Sequence, residues 1–113
     1  MALTKVTSAV LNDNAVTYDK LGDEFTTTSA VTTDLDFSTA QVFTKTMTAD
    51  TTFTYSNVSI GMVKDFILTG EFVPTFPAGT KTVGGTYDGT VSNLIQIVAV
   101  ASGDYWMSIS KAQ

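Results

Sequence analysis

Histidine, cysteine and arginine are all missing from this 113-residue chain. Without cysteine there is no disulfide framework, no thiolate metal site and no cysteine nucleophile, and the composition fits assembly in a reducing compartment. Without histidine the chain lacks the usual general base near neutral pH and the commonest metal ligand. Without arginine it lacks the bidentate fork that grips phosphate or carboxylate. Long apolar runs are missing too. No stretch approaches the roughly 18 apolar residues of a membrane-spanning helix, so no membrane insertion is expected. Met1-Ala2-Leu3-Thr4-Lys5 lacks the apolar core of a secretory signal. A basic stripe is lacking as well: Lys5, Lys20, Lys45, Lys64, Lys81 and Lys111 are scattered, and the net charge is −5. Nucleic-acid binding needs clustered cations, so none is expected, and an acidic surface disfavours adsorption to anionic membranes.

What the chain has in quantity is threonine, crowded into Thr26-Thr27-Thr28, Thr32-Thr33, Thr44, Thr46, Thr48, Thr51-Thr52 and Thr54. Threonine is stiff at χ1 and suits a pleated, half-wet surface. Glycines punctuate the second half at Gly61, Gly70, Gly79, Gly84-Gly85, Gly89 and Gly103. Together these predict an all-β fold. The length allows one domain, which buries roughly 60% or a little more of its unfolded surface. That supports one core and leaves little for a deep cleft.

Residues 1–36 read as an N-terminal extended arm, poor in contiguous apolar residues, with Val6, Val10 and Leu11 as its apolar points and Tyr18, Leu21 and Phe25 at helix-like spacing ended by Gly22. Residues 37–113 read as a small antiparallel β-sandwich or jelly-roll-like domain. Segments 41–47 and 51–56 alternate with period 2 and predict a hairpin turning at Ala49-Asp50. Segment 63–69, with Phe66-Ile67-Leu68, predicts a central strand, and 72–76 its hairpin partner, with Pro74 at an edge or strand end. Segment 82–88 reads as a loop. Segment 93–100 is apolar on both faces apart from Gln96, which predicts a strand covered on both sides. It pairs with 105–110 across Ser102-Gly103-Asp104, Tyr105, Met107 and Ile109 on one face and Trp106, Ser108 and Ser110 on the other. No repeat of solenoid period is visible.

Candidate sites are few. Asp34-Leu35-Asp36 places two carboxylates on one side of an extended segment, the beginning of a calcium site, but reads more simply as a solvated strand entry. Asn12-Asp13-Asn14 with Asp19, Asp23 and Glu24 is oxygen-rich but lacks the EF-hand order, and reads as turns. A serine nucleophile would have only lysine as its base, and no serine–lysine phrase has supporting context. No catalytic residue, metal or cofactor is therefore expected. Asn57-Val58-Ser59 fits the glycosylation triplet and reads as an ordinary loop. Tyr87, Tyr105 and Trp106 offer flat rings with polar edges that suit sugar contact. The competing reading makes Trp106 core and the tyrosines its rim. Tyr87 with the glycine-rich loop 84–89 is the best candidate tip.

Several phrases taken in order carry a resemblance. Ala15-Val16-Thr17-Tyr18-Asp19-Lys20-Leu21 resembles the recurring unit ends of bacteriophage tail-fibre connectors. Asp36-Phe37-Ser38, Thr48-Ala49-Asp50-Thr51-Thr52-Phe53-Thr54-Tyr55-Ser56, Phe76-Pro77-Ala78-Gly79-Thr80-Lys81, Gly84-Gly85-Thr86-Tyr87-Asp88-Gly89-Thr90 and Asp104-Tyr105-Trp106-Met107-Ser108-Ile109-Ser110 are similar to the small fibre-head and virion-surface β-modules of phages of the marine and cyanophage type. The likeness spans most of residues 15–111. It implies a non-enzymatic, homotrimeric module located in the virion and assembled in the host cytoplasm. Its partners would be its own copies, other virion proteins and a host surface glycan. In such a trimer the arm would bury Val6, Val10, Leu11, Val16 and Leu21 about the shared axis and order only there. In fibres the module ends a much longer chain, whereas here it makes up nearly the whole sequence. That departure leaves room for a capsid or tail decoration role, and a soluble sugar-binding module is the third reading.

Overall fold

The computed structural model describes residues 17–113. It is all-β apart from a 3-10 turn at Tyr18–Lys20 and one turn of helix, α1, at Asp23–Thr26. The strands are β1 (Thr28–Ala30), β2 (Asp34–Asp36), β3 (Val42–Thr46), β4 (Thr51–Thr52), β5 (Thr54–Ser56), β6 (Val63–Thr69), β7 (Pro74–Thr75), β8 (Thr80–Gly84), β9 (Asn93–Ala101) and β10 (Asp104–Lys111).

The expected all-β class holds, but the chain does not fold as an antiparallel sandwich. It coils. β1 pairs in parallel with β3, β3 with β6, β2 with β5, and β4 with β7. Successive passes of the chain therefore stack on one another in a solenoid-like arrangement: β1–β2, then β3–β5, then β6–β8. The pairings Val42 with Asp65 and Thr51 with Pro74 share one offset along the chain, whereas Thr28 pairs with the much nearer Val42. This unequal coil length is why no repeat shows in the sequence. A coil needs apolar side chains turned inward, not the same residue at a fixed period.

The hairpins expected at 41–56 and at 63–76 are replaced by these parallel ladders. A short linker such as Thr48-Ala49-Asp50 turns the chain through a corner instead of reversing it. The corner is held by side chains: Thr51 Oγ1 donates to the Ala49 carbonyl at 2.8 Å, and Asp50 Oδ1 accepts from the Val73 amide of the next coil at 2.9 Å. Above it the chains stack so tightly that glycine is required. A Cβ on Gly70 (φ 122°) would lie 2.7 Å from the Met47 carbonyl oxygen, and one on Gly89 would lie 2.3 Å from the Gly70 carbonyl oxygen.

The coil is closed by the one hairpin that forms as expected, β9–β10. β9 runs antiparallel to β6 and β10 parallel to β8, which joins everything on that side into a six-stranded sheet of order β1-β3-β6-β9-β10-β8. Segment 82–88, read as loop, thus contributes the end of an edge strand. β8 is exposed along most of its length, so its strand state comes from pairing with β10, which its own composition does not announce.

The core is aromatic and lies inside the coil. Phe37, Phe43, Phe53, Phe66, Leu35, Leu68, Ile95 and Ile97 are buried. Phe43 and Phe66 are register partners on adjacent strands. Phe53 meets Phe66 edge-on at 5.1 Å and stacks on Phe76 at 5.5 Å, while Phe37 links Phe43 to Tyr55, whose ring packs edge-on against Tyr105 at 4.7 Å. Each such side chain contributes about 1.5–3 kcal/mol by burial, and each ring pair about 0.5–1.5 kcal/mol more. Leu35 on β2 belongs to this core, so the packed body takes in the last residues of the 1–36 segment.

Among the described residues two polar side chains are buried. Asn93 Nδ2 donates to the carbonyls of Asp88 (2.7 Å), Val91 (3.0 Å) and Leu68 (3.3 Å), and its Oδ1 accepts from the Asp88 amide at 3.0 Å. It pins the loop before β9 to β6. Lys64 turns inward from β6, is 2% exposed, and donates to the Glu24 carbonyl at 2.6 Å with the Phe25 ring 5.7 Å away. Burial pushes its ammonium pKa down, and the nearby Glu24 carboxylate pushes back. α1 buries no residue of its own; Lys64 ties it to β6, and the Thr27 carbonyl at its end accepts from the Gln41 and Val42 amides.

Candidate interaction surface

The pleat sends alternate residues of each strand to opposite faces. On the inner face lie Lys64, Phe66 and Leu68 of β6, Asn93, Ile95, Ile97 and Ala99 of β9, and Met107 of β10. The alternate positions Val63, Asp65 and Ile67, then Leu94, Gln96, Val98 and Val100, then Trp106, Ser108 and Ser110, lie on the outer face. Nothing packs over them among the described residues. Leu94 is 44%, Val100 43% and Trp106 45% exposed. The expectation that segment 93–100 is covered on both sides is therefore corrected: among the described residues β9 is covered on one face only. Its outer apolar residues are surface residues.

Register brings them into rows that cross the sheet. Lys81, Trp106, Val98 and Val63 form one row, Gly84, Ser108, Gln96, Asp65, Val42 and Thr28 the next, and Ser110, Leu94, Ile67, Thr44 and Ala30 a third. Asp65 is the single carboxylate among these positions. Lys81 carries the cation, 3.1 Å from Asp104 and 5.9 Å from the Trp106 ring centre. The third row runs into two adjoining shallow grooves of ≈ 470 and ≈ 290 Å³ that share Ile67 and Ser92 as walls. A further open concavity of ≈ 510 Å³ lies at the β6–β7 corner, lined in part by Asp50, Glu71, Phe72, Tyr87 and Thr90.

The three aromatic candidates part company. Trp106 presents its ring outward on the sheet face. Tyr105 turns the other way, into the ring cluster with Tyr55. Tyr87 donates its hydroxyl to the Gly70 carbonyl at 2.7 Å and packs against the core; burial, with the neighbouring Asp88 carboxylate, raises its pKa. Its hydroxyl is committed to the fold, and only part of its ring reaches the corner concavity. Of the expected interface residues, Leu21 is exposed, while Val6, Val10, Leu11 and Val16 lie outside the described residues, as does the Asn12-Asp13-Asn14 cluster.

The carboxylates at Asp34 and Asp36 are engaged in holding β2 to β5. Asp34 accepts from Thr54 Oγ1 at 2.8 Å and from Ser56 Oγ at 2.5 Å. Asp36 Oδ1 accepts from Ser38 Oγ, the Asn57 side-chain amide and the Ser38 amide, which together hold its pKa below the usual carboxylate value. Asn57, in the left-handed region at φ 53°, spends its side chain on this bond. Asp88 is lowered in the same way, first by the Thr90 hydroxyl and amide and then by Lys111. Among the described residues no cluster of three or more acidic side chains is placed to hold a metal ion, and no helix is long and apolar enough to cross a membrane.

Leu94, Val98, Val100 and Val63 are the surface residues that sequence reasoning missed. The available signal was the position of Trp106 at a strand end, on the face that carries Ser108 and Ser110. Compared with protein-family models, curated proteins and solved structures, the chain matches none of them.

Proposed function

We propose that the protein is a non-enzymatic structural module of a bacteriophage virion surface, of the tail-fibre type, acting as a homotrimeric adhesion or connector unit. The observation that carries this reading is the outer face of the six-stranded sheet, backed by an aromatic core, where Val63, Leu94, Val100 and Trp106 are exposed and nothing packs over them among the described residues. Exposed apolar side chains gathered on one face, rimmed by polar residues, mark interaction surfaces. The reading is further supported by side-chain chemistry. The carboxylates of Asp34, Asp36 and Asp88 accept hydrogen bonds from threonine, serine and asparagine neighbours that tie loops and strands together.

Antibody labelling of virus particles that carry this gene tests the assignment. Label concentrated on the tail fibres is the expected result. Label following the lattice of the shell would instead make the protein a decoration protein, and particles free of label would overturn the virion reading altogether.

A further inference from the structure

We infer that the outer face of β6, β9, β10 and β8 is the contact surface for a second copy of this chain, related by a two-fold axis parallel to β9 and β10 and passing between them. The inference rests on composition and register, and is independent of the arm. Interface cores are depleted of charge relative to the rest of a surface and enriched in aromatic residues. In a chain with eleven acidic side chains and net charge −5, the rows of this face carry one carboxylate, Asp65, and the Asp104 carboxylate at its border is already paired with Lys81 at 3.1 Å. It is the place where two acidic copies meet with the least repulsion.

The rows are also complementary to themselves. A two-fold axis between β9 and β10 keeps position along the strands and exchanges β9 with β10 and β6 with β8, as an isologous contact requires. Trp106 of each copy then faces Val98 of the other, the large ring over the smaller side chain. Gln96 faces Ser108, donor and acceptor to each other, and Leu94 faces Ser110. Asp65 faces Gly84, where no side chain intrudes, and lies one row from Lys81. Two residues along a strand is about 6.6 Å, within reach of a lysine. Lys81 is 61% exposed beyond its own pair with Asp104, so it can bridge both carboxylates, twice across the axis. Four strands at about 4.8 Å and seven residues at about 3.3 Å give a footprint of about 440 Å² per copy. That places the contact among the weaker specific interfaces, as a concentration-dependent equilibrium.

The test uses the full chain. Native mass and sedimentation equilibrium should give even-numbered species, a dimer or, combined with arm-mediated trimers, a hexamer. Emission of the single tryptophan should shift to the blue as concentration rises and Trp106 is covered. Val98→Lys should halve the mass while leaving the circular dichroism melt intact. Asp65→Lys or Lys81→Glu alone should weaken association about tenfold, and the two together should recover most of it. An unchanged mass in Val98→Lys, tryptophan emission independent of concentration, or an exclusively trimeric species would overturn the inference. If Val98→Lys fails to fold, the charge exchange decides: single variants that associate like the parent overturn it equally. A trimer without the two-fold contact leaves the virion reading standing, and particles free of the protein leave the two-fold contact standing.

Discussion

Replacing Asn93 by alanine should destabilise the protein by about 3–4 kcal/mol. The side chain is fully buried and uses both ends. Its amide nitrogen serves the carbonyls of Asp88, Val91 and Leu68, and its oxygen serves the Asp88 amide. A net hydrogen bond is worth about 1 kcal/mol, but a buried group stripped of its partner costs about 1–3 kcal/mol. Alanine strands the Asp88 amide and at least one carbonyl. Against a total stability of about 5–15 kcal/mol that is a large share, and with a urea slope of about 1.5 kcal/mol/M it lowers the midpoint by roughly 2 M. Equilibrium unfolding in urea, followed by Trp106 emission and circular dichroism, reads it directly. Asn93→Leu separates hydrogen bonding from volume: it refills the space and should remain nearly as destabilised as alanine. Asn93→Asp should be worse than alanine at neutral pH, since it adds a buried charge and removes the donors, and should recover as pH falls and the carboxyl protonates. A loss under about 1 kcal/mol in the alanine variant, or full recovery in the leucine variant, would refute the clamp.

Tyr55 carries a pH-dependent contribution. Burial pushes its phenol up to about 12, opposed by the Thr80 hydrogen bond. Because the folded pKa is raised above the unfolded value near 10, its contribution is fully present below pH 10 and is lost between pH 10 and 12, about 2–3 kcal/mol in all. Relative to Tyr55→Phe, the parent should therefore lose about 2–3 kcal/mol of unfolding free energy across that window, and a constant difference would contradict the assignment. Gly89→Ala should cost about 2–3 kcal/mol or block folding, because its Cβ meets backbone that cannot retreat; Gly22→Ala, with open space around it, should change stability by about 0.5 kcal/mol or less. Lys64→Met should keep global stability within about 1 kcal/mol, since methionine fills the lysine stem's volume and sheds the buried charge. The amides of α1 should lose hydrogen-exchange protection in that variant.

Much of the strand pattern was legible in the residues themselves. Alternation set Tyr105, Met107 and Ile109 against Trp106, Ser108 and Ser110, and that division of faces holds. The β9–β10 hairpin was legible because its turn, Ser102-Gly103, and both its strands are contiguous. Period 2 states which side chains share a face. It does not state which strand lies alongside or in which direction it runs, since backbone donors and acceptors are the same for every residue. The parallel coil was therefore decided by tertiary packing: by aromatic rings such as Phe53 and Phe76 stacking from one pass to the next, and by Gly70 and Gly89 letting corners approach. The same limit hid the candidate surface. Leu94, Val98 and Val100 are as apolar as Ile95 and Ile97, and no feature of the strand itself says which set faces the core. The contents of the coil placed Ile95 and Ile97 inside, and the absence of any second layer among the described residues left Leu94, Val98, Val100 and Trp106 facing out. The sequence by itself determined that this chain is all-β, acidic and without histidine, cysteine or arginine. Tertiary structure alone decided that its strands stack in parallel and that one apolar sheet face stays open, because both depend on contacts between segments distant along the chain.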